Sequence, residues 1–187
     1  MNIKQLVKDA HDNAKTKGWH DEDRTFGELI ALCHSELSES LEEFRAGRGL
    51  NEVYYTGDIG IGKPATSDRA TDFCRKPEGV PIELADCVIR IFDMFGLYEM
   101  DIDSMQVSEV DFDIGVSFAE FISAIHYSLS MAYFHGHNIK VGCVILMTAV
   151  KLIERYANER GIDLDKAIRI KMEYNKLRSH KHGGKVL

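Results

Sequence analysis

The sequence predicts an all-α protein. Apolar residues recur at helical spacing in six segments of the chain. Gly, Asn, Asp and Thr residues stand at the segment ends, where helices start and stop. Strand signals are nearly absent: residues 53–56 (VYYT) alone suggest a short strand or hairpin arm. At 187 residues the chain fits one domain with a sizeable core. Its helices are expected to join as antiparallel neighbours in a bundle.

Residues 2–18 form the first helix, with Ile3, Leu6, Val7, Ala10 and Ala14 on one face and Gly18 as its stop. Trp19, His20 and the acidic run Asp21, Glu22, Asp23 connect it to the next. Thr25 is a suitable N-cap for a helix over residues 27–48, and Glu28 is its capping-box partner. Leu29, Ile30, Cys33, Leu37, Leu41 and Phe44 make the buried stripe of that helix. Residues 50–80, rich in Gly and Pro, break the pattern. A connection of this length reads as an insertion able to cover a site, a lid loop. Residues 81–95 form the next helix, with Pro81 at its first turn, Ile82, Ala85, Ile89 and Phe92 as its apolar stripe and Gly96 at its end. Residues 98–113 are acidic and irregular. Helices over 117–134 and 140–160 follow, separated by a turn at Gly136 and Asn138. After Gly161, Asp163 or Asp165 caps a last helix that runs to about Leu177. The basic tail, residues 179–187, reads as extended or flexible.

Composition narrows the function. A net charge of −7 argues against general binding to a nucleic-acid polymer and against an acidic membrane surface. The longest apolar run, residues 141–150, is far short of the ~20 residues that cross a bilayer. Four cysteines (Cys33, Cys74, Cys87, Cys143) form no CxxC pair, and no signal peptide is evident, so a cytoplasmic, reducing location is expected.

The acids carry the chemistry. Glu36, Glu39 and Glu43 lie at i, i+3 and i+7 on one helix face, and Glu83, Asp86, Arg90 and Asp93 repeat the device on the 81–95 helix. One such face is ordinarily solvated. Two of them, each bordering an apolar stripe, suggest a shared cation site, because burying acids at a seam without a cation is costly. All-oxygen ligands favour Mg²⁺, with Mn²⁺ a substitute. The chain's end is basic: Lys171, Lys176, Arg178, Lys181 and Lys185 stand against Glu173 alone. Lys171, Asn175 and Arg178 share one face of the last helix, with Tyr174 beside them. That face serves either as a solvated helix end or as a phosphate clamp over the metals.

HSELSESLEE and PIELADCVIRIFD together resemble the ExxE…ExxD signature of the MazG-like all-α nucleoside triphosphate pyrophosphohydrolases. KMEYNKLRSHKHGGK resembles the basic segment and HGGK tail of a phage and bacterial branch of that family, and AKTKGWH and KPEGVPIELAD look like that branch too. The resemblance covers nearly the whole chain. It implies a single MazG-like helical bundle over residues 1–187, with the 50–80 insertion between the two acidic helices. It implies Mg²⁺-dependent hydrolysis of a nucleoside or deoxynucleoside triphosphate to monophosphate and pyrophosphate, by attack of metal-bound water at the α-phosphate. Glu36, Glu39, Glu83 and Asp86 would be the metal ligands, with Glu39 or Glu43 a candidate base. Lys171, Asn175 and Arg178 would hold phosphates, and Tyr174 would touch the nucleotide. Trp19, ordinarily a core anchor, is a further substrate candidate. Many relatives carry a Glu where this chain has Ser35, which leaves the base in question. A homodimer or homotetramer is implied as well.

Rival readings are weaker. A di-iron bundle needs Glu-x-x-His, and no histidine here has Glu three residues before it. Zinc at His135/His137 or His180/His182 lacks any tight Cys/His pattern. Cys33 and Cys87 read as small core residues. A narrow dUTP, dCTP or dGTP specialist and a non-catalytic nucleotide-binding module are the alternatives that remain, the second favoured by Ser35.

Overall fold

The computed structural model describes residues 1–57, 75–107 and 112–184. Cys74, Lys185 and the centre of the 50–80 insertion lie outside the described residues. The fold is all-α apart from one small ribbon. In chain order it runs α1 (Ile3–Thr16), α2 (Phe26–Arg45), β1 (Tyr54–Thr56), β2 (Lys76–Glu78), α3 (Val80–Leu97), α4 (Phe118–Phe134), α5 (Ile139–Glu159) and α6 (Leu164–Leu177). No helix among the described residues is long and apolar enough to cross a membrane.

Local chemistry sets the helix starts. The Thr25 hydroxyl accepts from the Glu28 backbone N–H, and the Glu28 carboxylate accepts in return from the Thr25 N–H at 2.7 Å. Ser117 and Glu120 repeat the box at α4, and Asn138 and Asp163 cap α5 and α6. Pro81 occupies the first turn of α3, where a missing N–H costs nothing.

Helix α3 is the axis of the molecule. It packs against α1, α2, α5 and α6, while α4 pairs with α5 and closes over α2. Thirteen of its eighteen residues are buried, so it is covered on most sides rather than along one stripe. Gly96, expected to end it, lies inside it: the backbone stays helical to Leu97, and the missing side chain lets α1 approach. A Cβ there would stand 2.4 Å from the Cβ of His11.

Two further differences bear on the site. The sequence suggests one strand arm at 53–56, and the structure pairs it. β1 runs antiparallel to β2, with Tyr55 opposite Pro77. A proline survives there because the ribbon has only two strands and both are edges. The ribbon clamps the two ends of the insertion together at the start of α3. The tail, expected to be extended or flexible from residue 179, folds back in its described part, through Gly184. The Lys181 N–H donates to the Lys17 carbonyl at 2.8 Å, His180 meets Asp21, Lys181 meets Glu22, and the His182 ring stands edge-on to Trp19.

Gly79 joins ribbon to axis. Its backbone (φ 111°, ψ 164°) is open almost only to glycine, and a Cβ would fall 2.3 Å from the Glu52 carbonyl oxygen. Gly79→Ala is expected to lower the unfolding free energy by about 2 kcal/mol. Urea titration followed by helical circular dichroism measures it, and an unchanged midpoint would show that the ribbon does not depend on this turn.

Candidate functional site

Three helices aim charged side chains at one cavity of about 230 Å³. Helix α2 contributes Ser35, Glu36 and Glu39. Helix α3 contributes Glu83, Asp86, Arg90 and Asp93, and α6 contributes Lys171, Asn175 and Arg178. Each set follows i, i+3, i+4 or i+7 spacing, so one face of each helix supplies it. The connection after α1 adds Trp19, His20 and Arg24, and the ribbon adds Lys76.

Carboxylate oxygens of Glu36, Glu39 and Glu83 all lie within 4.8 Å of one another. Glu36 and Glu83 are 6% and 2% exposed, whereas Glu39 is open to solvent. Burying like charges together is unfavourable, and the cluster is only partly compensated. Arg90 donates from Nε to Glu36 at 2.7 Å, and the Lys171 ammonium lies 2.6 Å from Asp86. Burial, opposed by Lys171 and reinforced by Asp86 and Glu36, pushes the Glu83 carboxyl up to about 8. Burial also raises Glu36, against the pull of Arg90. Lys171 is 2% exposed; burial lowers its proton affinity, but Asp86 and Glu83 more than offset that and the net shift is upward. Buried carboxyls raised by desolvation, Glu83 to about 8, belong to an all-oxygen donor set that a hard divalent cation fits.

Of the sequence-predicted residues, Glu36, Glu39, Glu83, Asp86, Lys171, Asn175, Arg178 and Trp19 all line the cavity. Tyr174 does not line it. That ring is buried, with the Arg178 guanidinium 5.7 Å above it, so it supports Arg178 from beneath. Glu43 is drawn away to the Tyr54 hydroxyl, which donates to its carboxylate at 3.0 Å. Ser35 lies on the cavity wall, its hydroxyl 3.4 Å from Glu39. Cys87 is fully buried, and its hydrogen bond to Cys33 together with burial raises its thiol well above the ordinary value, as suits a core residue.

Sequence reasoning missed Arg24 and Lys76 and gave Arg90 no role. Arg24 sits in a connector and Lys76 in a three-residue strand, where no periodicity marks a face. Arg90 was visible in its spacing from Asp86. Two buried polar atoms on the cavity wall, Nη2 of Arg24 and Oδ1 of Asn175, find no hydrogen-bond partner among the described residues. Such atoms are costly unless something polar meets them.

No protein-family model, curated protein or solved structure matches the chain.

The raised carboxyl of Glu83 fixes a pH dependence. The ordinary value of 4.5 applies to the unfolded chain and about 8 to the folded one, so between these the folded state holds the extra proton. Its contribution is full below pH 4.5 and is lost as pH rises toward 8. In chelator, the melting temperature of the wild type relative to Glu83→Gln is expected to fall across that window. Scanning calorimetry from acid to mild alkali reads the difference, and a difference that rises with pH contradicts the assignment.

Proposed function

We propose that this chain is a MazG-like nucleoside triphosphate pyrophosphohydrolase, dependent on Mg²⁺ with Mn²⁺ as a substitute. One observation carries the reading: acids from α2 and α3 and bases from α6 line the same cavity. Glu36, Glu39, Glu83 and Asp86 would hold the cation. When bound it supplies charge neutralisation at the phosphates and lowers the pKa of water.

The chain's own groups divide the remaining work. Lys171, Arg178 and Lys76 offer positive charge to the phosphates from the side facing the acids, and the desolvated wall strengthens each contact. Asn175 presents an unsatisfied amide oxygen there, able to accept from the substrate and fix its orientation. Arg90 holds Glu36 in place as a positioning residue. Glu39, open to solvent and on the cavity wall, is suited to take a proton from the attacking water. Trp19 and Arg24, with the guanidinium 5.3 Å from the indole ring, form a flat cationic surface for the nucleoside end. Exposed Tyr127, Tyr133 and Phe134 on α4 support a homodimer or homotetramer in which that face is covered. Ser35 on the cavity wall favours one second reading, a module that binds nucleotide without turning it over.

The test is a panel of ribo- and deoxyribonucleoside triphosphates with Mg²⁺ or Mn²⁺, the products separated by ion-exchange chromatography. Monophosphate and pyrophosphate in equal amounts are expected for at least one nucleotide. Glu36→Gln and Asp86→Asn should each lower kcat by at least about 100-fold, while Glu43→Gln should leave it unchanged. Binding without turnover of any nucleotide selects the module. Release of inorganic phosphate would falsify attack at the α-phosphate.

A further inference from the structure

Beyond the acidic cluster, a second set of donors converges from three separate parts of the chain. Nδ1 of His11 on α1 and Nε2 of His20 in the α1–α2 connection each lie 2.8 Å from the same atom, Oδ1 of Asp93 on α3. The imidazole rings are 4.9 Å apart and tilted by 57°, so their nitrogens point inward from different directions. One ligand atom from each of the three residues falls within 4.8 Å of the other two. All three side chains are about four-fifths shielded from solvent, and His20 and Asp93 line the cavity.

We propose that His11, His20 and Asp93 form a separate binding site for a divalent transition metal of the zinc and cobalt class. Two imidazoles and one carboxylate are a donor set that suits Zn²⁺, Co²⁺, Ni²⁺ or Fe²⁺ and does not suit Mg²⁺. In the metal-free arrangement, imidazole protons occupy the space between the nitrogens and the carboxylate oxygen. A cation at about 2.0–2.2 Å from each donor requires the nitrogen–oxygen separation to open from 2.8 Å to roughly 3.3 Å. That is a small rotation for side chains that keep about a fifth of their surface exposed. His11 is mounted rigidly, because Gly96, one turn beyond Asp93, lets α1 press against α3 at that point. The fourth coordination position faces the cavity through His20 and Asp93, the pattern of a site that keeps an open position.

The site is distinct from the carboxylate cluster. Asp93 follows Asp86 by seven residues on the same helix face, which places it about 10 Å farther along α3. An ion at each place would therefore not share a ligand. A metal here binds next to Trp19, which precedes His20 in the chain, and the two sites can be loaded independently.

The experiment titrates the full-length, metal-stripped protein with Co²⁺ at neutral pH. It follows visible absorption and the paramagnetically shifted imidazole N–H proton signals. One equivalent of Co²⁺ is expected to produce both, with Zn²⁺ displacing it. His20→Gln and Asp93→Asn should weaken this binding by at least about 100-fold, since losing even an outer partner of a ligand costs 10–100-fold. The double change Glu36→Gln, Glu39→Gln should leave the imidazole signals in place. Glutamine at 20 retains a donor for Asp93, and circular dichroism checks its fold; His11→Gln is the second probe if it fails that check. Absence of shifted imidazole signals at one equivalent overturns the proposal. So does their loss in the double acid variant with retention in His20→Gln. Neither result touches the hydrolase reading, which the nucleotide panel decides.

Discussion

The structure depends on keeping Glu36 and Glu83 ionisable groups inside a helical core. Both are nearly enclosed, and the shift of Glu83 to about 8 measures how poorly that enclosure tolerates a charge. A helix bundle can place acids there only if cations reach them from other helices. Arg90 of α3 does so for Glu36 of α2, and Lys171 of α6 pairs with Asp86 and draws Glu83 down against its burial. The α3–α6 contact is thus electrostatic where it meets the site and apolar elsewhere, through residues such as Ile168 and Met172. Removing one partner of such a pair leaves an uncompensated buried charge, which costs more than the pair contributes.

Helix α3 can carry this arrangement because it is covered on most sides. Glu83, Asp86, Arg90 and Asp93 form a single charged strip on an otherwise apolar rod. The strip faces the cavity, so the charges meet one another and the ribbon and connector residues rather than lipid-like packing. The ends of the cavity are set by elements that look peripheral. The ribbon places Lys76, paired with Glu78, on the cavity wall, and the folded-back tail brings His182 against Trp19. Both depend on glycines with positive φ: Gly79 beside the Glu52 carbonyl, and Gly18, where a Cβ would collide with the His180 ring.

Much of this was legible in the sequence where the cause is local. The Thr25 capping box, the Asp163 cap and the ExxE and ExxD spacings are short-range patterns, and each appears in its expected place. Legibility fails where the cause is long-range. The burial of α3 on most sides could not be read from its stripe, because the charged strip mimics a solvent face. The strand at Lys76–Glu78 contains a proline and has no alternation to reveal it. His11, His20 and Asp93 come from three elements, and nothing in their spacing links them. Tyr174 shares a helix face with Lys171 by sequence, yet its bulk turns it into the layer beneath Arg178.

The charge inventory of the cavity carries the functional argument one step further. Apart from Asp93, which meets His11 and His20, four acids line the cavity: Glu36 is matched by Arg90 and Asp86 by Lys171. Among the described residues Glu39 and Glu83 have no such close partner, since Lys76 pairs instead with Glu78. On the proposed reading one divalent cation would offset two unmatched carboxylates and leave the acid side neutral. Arg178 and Arg24 then remain as positive groups lining the cavity, and the Arg24 Nη2 has no acceptor among the described residues. A neutral floor beneath cationic walls attracts a polyanion, and an acidic floor would repel it. On the proposed reading the acids and the bases of this cavity would be parts of one device: without a cation the acids would oppose the phosphates that the bases would hold.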